Sequence, residues 1–214
     1  MTRLGILGGT FDPVHYGHLD AADAARQACS LDRVLFVPAH DPPHKPVDPR
    51  ASGFHRFAMV ALALDDRDGD QVSDMELLRT GPSYTVTTLR ELHGLGWAPE
   101  QLYFVIGTDA FAEVATWYEY PAVLGCANFV VITRPGSGAV PAIPTRTTST
   151  GIYHVEARTR DVSSTAIRTR LSERGTIEDL VPRAVARYIR AHDLYRDVTG
   201  LHTNRGRPEG PPLL

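Results

Sequence analysis

Lysine is almost missing from this sequence: of its 22 basic residues all but Lys45 are Arg. Cysteine is nearly as scarce. Cys29 and Cys126 are too few for the disulfide framework of a small secreted protein, and each adjoins apolar sequence, so both are expected as reduced core thiols of a cytoplasmic protein. No apolar run approaches the roughly 18 residues that a membrane span needs. The stretch Leu4–Leu7 meets two glycines and then Asp12, which is too short an apolar region for a signal peptide. Positive charge is not in excess either. A formal net charge of −3 gives no electrostatic footprint for nucleic acid. Hydrophobic residues at 43% and charged residues at 22% exclude a wholly disordered chain. At 214 residues the chain suffices for one full core with a ligand cleft.

What is present is a regular alternation. Leu4–Leu7, Val34–Val37, Leu102–Ile106 and Phe129–Ile132 are continuous apolar runs, each stopped by Gly, Pro or Arg-Pro. Unbroken runs fit strands buried on both faces, the habit of parallel sheets. Between them lie helical patterns: Gly17–Cys29 with Leu19, Ala22, Ala25 and Ala28 at helical spacing; Phe54–Leu64 with Phe57, Val60, Ala61 and Leu64; Thr85–Leu95 with Val86, Leu89 and Leu92. The succession predicts an α/β fold, an open parallel sheet flanked by helices, with ligands at the carboxyl ends of the strands. Ser163–Ser172 and Val181–His192 predict two closing helices. The expected organisation is one domain over 1–198, with the sheet core in about 1–135 and a small helical part in about 160–198. Pro38–Gly53 and Pro135–Gly151 read as loops, the second mobile, and 199–214 as a disordered tail.

Gly8-Gly9-Thr10-Phe11-Asp12-Pro13-Val14-His15-Tyr16-Gly17-His18 crosses from the first strand into the first helix. Gly8 and Gly9 admit a close backbone approach to a ligand. The helix N-terminus offers free N–H groups and its positive dipole end to an anion. His15 and His18, three apart, share one helix face, so both imidazoles can reach one phosphate chain, with Gly17 leaving room for it. A tight turn with two incidental histidines is the plain alternative. A zinc site is not supported, because no Cys or carboxylate cluster completes a ligand set.

This string resembles the GGTFDP-x-H-x-G-H signature of the nucleotidylyltransferase superfamily, and further strings resemble its bacterial nicotinate-nucleotide adenylyltransferase family. Ser163-Ser164-Thr165-Ala166-Ile167-Arg168 is similar to the SSTxIR element, Pro42-Pro43-His44-Lys45 to a PPHK element, Gly81–Thr85 to GPSYT, Gly107-Thr108-Asp109 to G-x-D and Trp117-Tyr118 to WY. The resemblance covers about Leu4 to Tyr195; the 137–151 connection and the 200–214 tail have no counterpart. It implies a Rossmann-like fold and catalytic roles for His15, His18, Lys45 and Arg168. It implies ATP contacts from Gly8, Gly9, Phe11, His15, His18, Gly107, Asp109, Arg134, Ser163, Ser164, Thr165 and Arg168. For the nicotinate nucleotide it implies Thr10, His44, Lys45, Thr85, Trp117, stacked on the pyridine ring, and Tyr118.

The implied reaction is attack of the 5′-phosphate of nicotinate mononucleotide on the α-phosphorus of ATP. No Ser-His-Asp or Cys-His arrangement is recognisable, as suits a nucleophile that is already anionic. Mg²⁺ is expected with the ATP phosphates, bound by substrate and water rather than by a protein cage. A pantetheine-phosphate adenylyltransferase-like enzyme, or a catalytically silent nucleotide sensor on the same fold, are the other readings. Monomer or homo-oligomer stays open.

Overall fold

The computed structural model describes residues 1–43, 49–133 and 149–196. Six parallel strands form its sheet: β1 (Leu4–Gly9), β2 (Arg33–Pro38), β3 (Gln71–Val72), β4 (Leu102–Gly107), β5 (Asn128–Thr133) and β6 (Ile152–Glu156), in the order β3-β2-β1-β4-β5-β6. Helices α1 (Tyr16–Cys29), α2 (Gly53–Ala63), α3 (Thr85–Gly94), α4 (Thr108–Ala112), α5 (Ser164–Ser172) and α6 (Arg183–Ala191) join and follow them. The fold is the expected Rossmann-like one. The strand order reverses between β1 and β4, and in such sheets the crevice at the reversal takes the ligand.

Alternate residues of each central strand enter two separate cores. Leu7, Val34, Phe36, Tyr103, Val105, Val130 and Ile132 face α1, α2, α5 and α6. Leu4, Ile6, Val37, Leu102, Phe104, Ile106, Phe129 and Val131 face α3 and the α4 region. Burial on both faces is why the strands carry unbroken apolar runs. The register pairs Gly9 with Pro38 and Leu7 with Val105, so the glycine-rich end of β1 leaves the sheet between the ends of β2 and β4.

Several expectations are corrected. The inward face of α2 carries Arg56, Met59, Val60 and Ala63, whereas Ala61 is exposed and Phe57 only half-buried. The cause is Arg56, 2% exposed, which turns inward to reach main-chain carbonyls of the β1–α1 loop and of its own approach. On α1, Cys29 takes the buried position expected of Ala28. Cys126 is half-buried rather than a core thiol. The last residues of the 135–151 connection are anchored: the Thr150 hydroxyl donates to the Leu124 carbonyl, and Gly151 N–H donates to Asn128 Oδ1. The rest of that connection, and the 199–214 tail, lie outside the described residues.

Away from the sheet's carboxyl edge, Asp70 ties α1 to β2. Its fully buried carboxylate accepts from Arg26, from Arg67 Nε at 2.8 Å and from the Val34 amide at 3.1 Å. Among the described residues no helix is long and apolar enough to cross a membrane.

Candidate active site

The loop from β1 to α1 is held by its own carbonyl groups. Arg56 Nη1 donates to the Thr10 carbonyl at 2.7 Å, Arg168 Nη1 to that of Asp12 at 2.8 Å, and Ser164 Oγ to that of Pro13 at 2.9 Å. The Asp12 carboxylate accepts from Arg50 N–H at 2.9 Å, Ala51 N–H at 3.0 Å and the Tyr195 hydroxyl at 2.8 Å. Carbonyl and N–H of a trans peptide point in opposite directions, so fixing the Thr10 carbonyl inward turns the Phe11 N–H away from Arg56. Phe11 has φ +50°, and its buried ring meets His18 and Phe36. A Cβ at residue 9 would stand 3.1 Å from that ring, which is why Gly9 fits there. Of Phe11 only the main chain can therefore serve a nucleotide.

His15 is not in the first turn of α1 but caps it, with extended backbone at φ −149°. His18 Nδ1 accepts the His15 amide hydrogen at 3.2 Å, and the two rings stack with centroids 3.7 Å apart. Since Nδ1 accepts, a neutral His18 carries its proton on Nε2. The smallness of Gly17 serves packing as well: a Cβ would meet His15 Nδ1 and a Val162 methyl at 3.2 Å, and the Arg160 carbonyl at 3.3 Å.

The second motif arrives beside the first across more than 150 residues. Ser163 caps α5, its hydroxyl accepting from Ala166 N–H at 3.1 Å. Ser164 and Arg168 spend donors on the β1–α1 loop, and Arg168 Nη2 also donates to Thr165 Oγ1 at 3.1 Å. Arg160 lies over the Tyr16 ring and donates three hydrogen bonds to Asp20, seating the approach to α5 against α1. Burial pushes the Asp20 carboxyl up, but these Arg160 bonds outweigh it and hold it below the usual range. Two helix N-termini, two imidazoles and a guanidinium thus gather at the end of β1, an array suited to a polyphosphate.

The remaining predicted residues form a neighbouring group. Ser83, Tyr84, Thr85, Val86, Trp117 and Tyr118 line a small pocket. Tyr84 and Tyr118 stack at 4.5 Å, while the Trp117 ring packs edge-on to Phe104 at 6.1 Å. Ser83 Oγ accepts from the amides of His40 at 2.9 Å and Asp41 at 3.3 Å, and Ala39 N–H donates to the Gly9 carbonyl. The pocket is therefore linked to the phosphate loop through the end of β2. Gly107 and Asp109 lie exposed where β4 ends, and the Thr108 hydroxyl spans from there to the Ile132 carbonyl on β5. His44, Lys45 and Arg134 lie outside the described residues.

Sequence reasoning passed over Asp12, Arg56, Glu76 and Tyr195. Glu76 is buried and accepts from the Thr88 and Ser83 hydroxyls. Burial pushes its carboxyl above the usual range, against the pull of those hydroxyls and of Arg79. Asp12 stands in the Gly8–His18 string without a role assigned to it, and Arg56 shows only as a charge within an apolar helical repeat.

Residues 6–170 match the cytidylyltransferase-like family. A protein of Roseiflexus sp. (strain RS-1) named "Probable nicotinate-nucleotide adenylyltransferase" is 43% identical over 201 residues, covering 90% of this chain and 98% of that protein. One of the same name from Desulfitobacterium hafniense (strain Y51) is 42% identical, covering 91% of this chain and 96% of the relative. In fold, the chain is similar to Plasmodium falciparum nicotinic acid mononucleotide adenylyltransferase complexed with APC, with TM-score 0.67, 19% identity and coverage of 91% of this chain and 98% of that one. The chain belongs to the cytidylyltransferase-like family of nucleotidylyltransferases, alongside relatives that carry the nicotinate-nucleotide adenylyltransferase name.

Proposed function

We propose that the protein transfers the adenylyl group of ATP to nicotinate mononucleotide, giving nicotinate adenine dinucleotide and pyrophosphate for NAD synthesis. The observation that carries this reading is the meeting of the two motifs: Ser164 and Arg168 of α5 bonded to the loop that presents His15 and His18. Relatives at about 40% identity along nearly the whole chain support the substrate assignment.

In this mechanism a 5′-phosphate oxygen of the nucleotide bonds to the α-phosphorus as the α–β bridging bond breaks, and pyrophosphate leaves. The nucleophile is an anion, so the protein's task is positioning and charge stabilisation. His18 donates from Nε2, Phe11 from its amide and Arg168 from its fork, while the N-termini of α1 and α5 add their dipoles. Lys45 and Arg134, by the family resemblance, approach the triphosphate and flank the nucleotide. Thr85 and the Trp117–Tyr118 corner receive the pyridine side.

Mg²⁺ fits this set only as a companion of ATP. The Asp12 carboxylate is taken up by three hydrogen-bond donors, and among the described residues no cluster of three or more His, Cys, Asp or Glu could hold an ion. Phosphate oxygens and water would hold it, and when bound it neutralises charge on the leaving pyrophosphate. Residues 1–198 would act as one unit. We place its work in the cytoplasm, a reading supported by Cys29 and Cys126 both being free thiols.

Pyrophosphate release is measured with ATP and Mg²⁺ against nicotinate mononucleotide, nicotinamide mononucleotide and 4′-phosphopantetheine in parallel. Preference for the first by about a hundredfold in kcat/KM is the expected result. Comparable use of both pyridine nucleotides would remove the acid specificity and keep the reaction. Preference for phosphopantetheine, or ATP binding with no release at all, would overturn the assignment.

A further inference from the structure

Tyr195 belongs to neither phosphate motif, yet its hydroxyl ends on the loop between β1 and α1. Its ring is buried, 7% exposed, in the core shared by α1, α2, α5 and α6. Its backbone is left-handed, φ +66°, a conformation that a non-glycine residue keeps only where its surroundings hold it. The hydroxyl donates to Asp12 Oδ1 at 2.8 Å across 183 positions. Burial, and then the negative charge of Asp12, push its ionisation far above the usual tyrosine range, so it stays a donor.

Asp12 is the pivot. Oδ2 takes the Arg50 amide, and Oδ1 takes both the Ala51 amide and the Tyr195 hydroxyl. Its carbonyl holds Arg168 Nη1 at 2.8 Å, while the same guanidinium nitrogen stands 3.8 Å from Oδ2, the oxygen that Tyr195 does not touch. Arg168 is therefore poised between two partners in one residue. With Tyr195 in place, Oδ1 is held by two donors, the carboxylate is fixed in orientation, and the guanidinium keeps to the carbonyl. With that hydroxyl removed, the carboxylate loses one of its three anchors and can turn toward the guanidinium that already stands 3.8 Å from Oδ2. Each step Arg168 takes toward the carboxylate withdraws its fork from a phosphate chain.

We infer that Tyr195 is a positioning residue for adenylyl transfer: by occupying Asp12 it keeps the Arg168 guanidinium available to the ATP phosphates. This rests on the function proposed above, and on Arg168 being a phosphate ligand within it. It assigns the transfer geometry to the turn that follows α6 as well as to the two motifs.

The test is Tyr195→Phe, which keeps the ring in its core and removes only the O–H, measured alone and combined with Arg168→Lys. Each chain is assayed well below its own melting midpoint. Steady-state kinetics are read alongside calorimetric titration with a non-hydrolysable ATP analogue. For Tyr195→Phe we expect kcat/KM for ATP to fall about tenfold and KM for nicotinate mononucleotide to stay within about twofold. In the Arg168→Lys background the same change should cost no more than about twofold. An unchanged kcat/KM for ATP, a rise in KM for nicotinate mononucleotide of about tenfold, or full additivity with Arg168→Lys would each overturn the proposal. So would a Tyr195→Phe chain that does not fold, since the hydroxyl would then serve folding rather than positioning. Wild-type protein that binds the analogue yet makes no dinucleotide would instead defeat the functional reading, and the titrations would still report on Tyr195.

Discussion

His18 Nδ1 faces the main-chain nitrogen of His15 at 3.2 Å, in line with the stacking of their rings. One imidazole is thus fixed by the backbone of the residue that carries the other, at the N-terminus of α1. For His18→Ala, loss of the Nε2 donor predicts a fall in kcat of about 10²–10³. Circular dichroism should report an intact fold, because His18 is only half-buried. An unchanged kcat would remove His18 from the phosphate site.

Ser83 is expected to act on the other substrate. Its hydroxyl accepts from the amides of His40 and Asp41 and donates to Glu76. Ser83→Ala would release the end of β2 from the pocket bordered by Thr85 and Trp117. We expect a rise of about tenfold in KM for nicotinate mononucleotide with a much smaller change for ATP, and a stability loss of about 2 kcal/mol. Equal effects on both substrates would contradict the division between the two parts of the site.

Glu76 gives a pH prediction. Burial raises its folded-state pKa above the ordinary value of 4.5, so the folded chain holds this proton more tightly than the unfolded chain. That contribution is fully present at low pH and is lost as pH rises from 4.5 through the folded-state pKa. Glu76→Gln removes the dependence. The melting midpoint of the variant minus that of the wild type should therefore increase over that window and then level off. A difference that shrinks with rising pH would refute the account.

Asp70 provides a stability test away from the site. Its side chain is 0% exposed, and its partners Arg26 and Arg67 are 28% and 20% exposed. Solvent screening at the arginines reduces the effect, so we expect Asp70→Asn to cost about 2 kcal/mol, or roughly 4–8 °C in melting midpoint. Calorimetry measures the midpoint; kcat, read at low temperature, should be unchanged.

The central strands and long helices were legible because their apolar periodicity is local. So was the strand-to-helix placement of Gly8–His18, which depends on neighbours in sequence. β3, with two residues, and β6, largely exposed, carry no such pattern and exist by pairing with strands already formed. The inward turn of Arg56 could not be read from its helix, since its reason lies in the Thr10 and Ala51 carbonyls. Likewise a helix face shared by His15 and His18 makes His15 helical, whereas its extended backbone, φ −149° and ψ 171°, makes it the cap. Asp12 stood in the recognised string, but its three donors come from residues 50, 51 and 195. Only the folded chain assembles them.

The carbonyls of Pro13 and Asp12 find their donors in Ser164 and Arg168, and the Asp12 side chain finds one in Tyr195. A ribosome makes this loop first and its supports only 151 to 183 residues later. A nascent chain can pair β1 with β2, and later with β4, while this loop still lacks its late-made partners. Competence for transfer should therefore arrive abruptly, after Tyr195 has left the ribosome, and emerging fragments would carry the first motif without the means to use it.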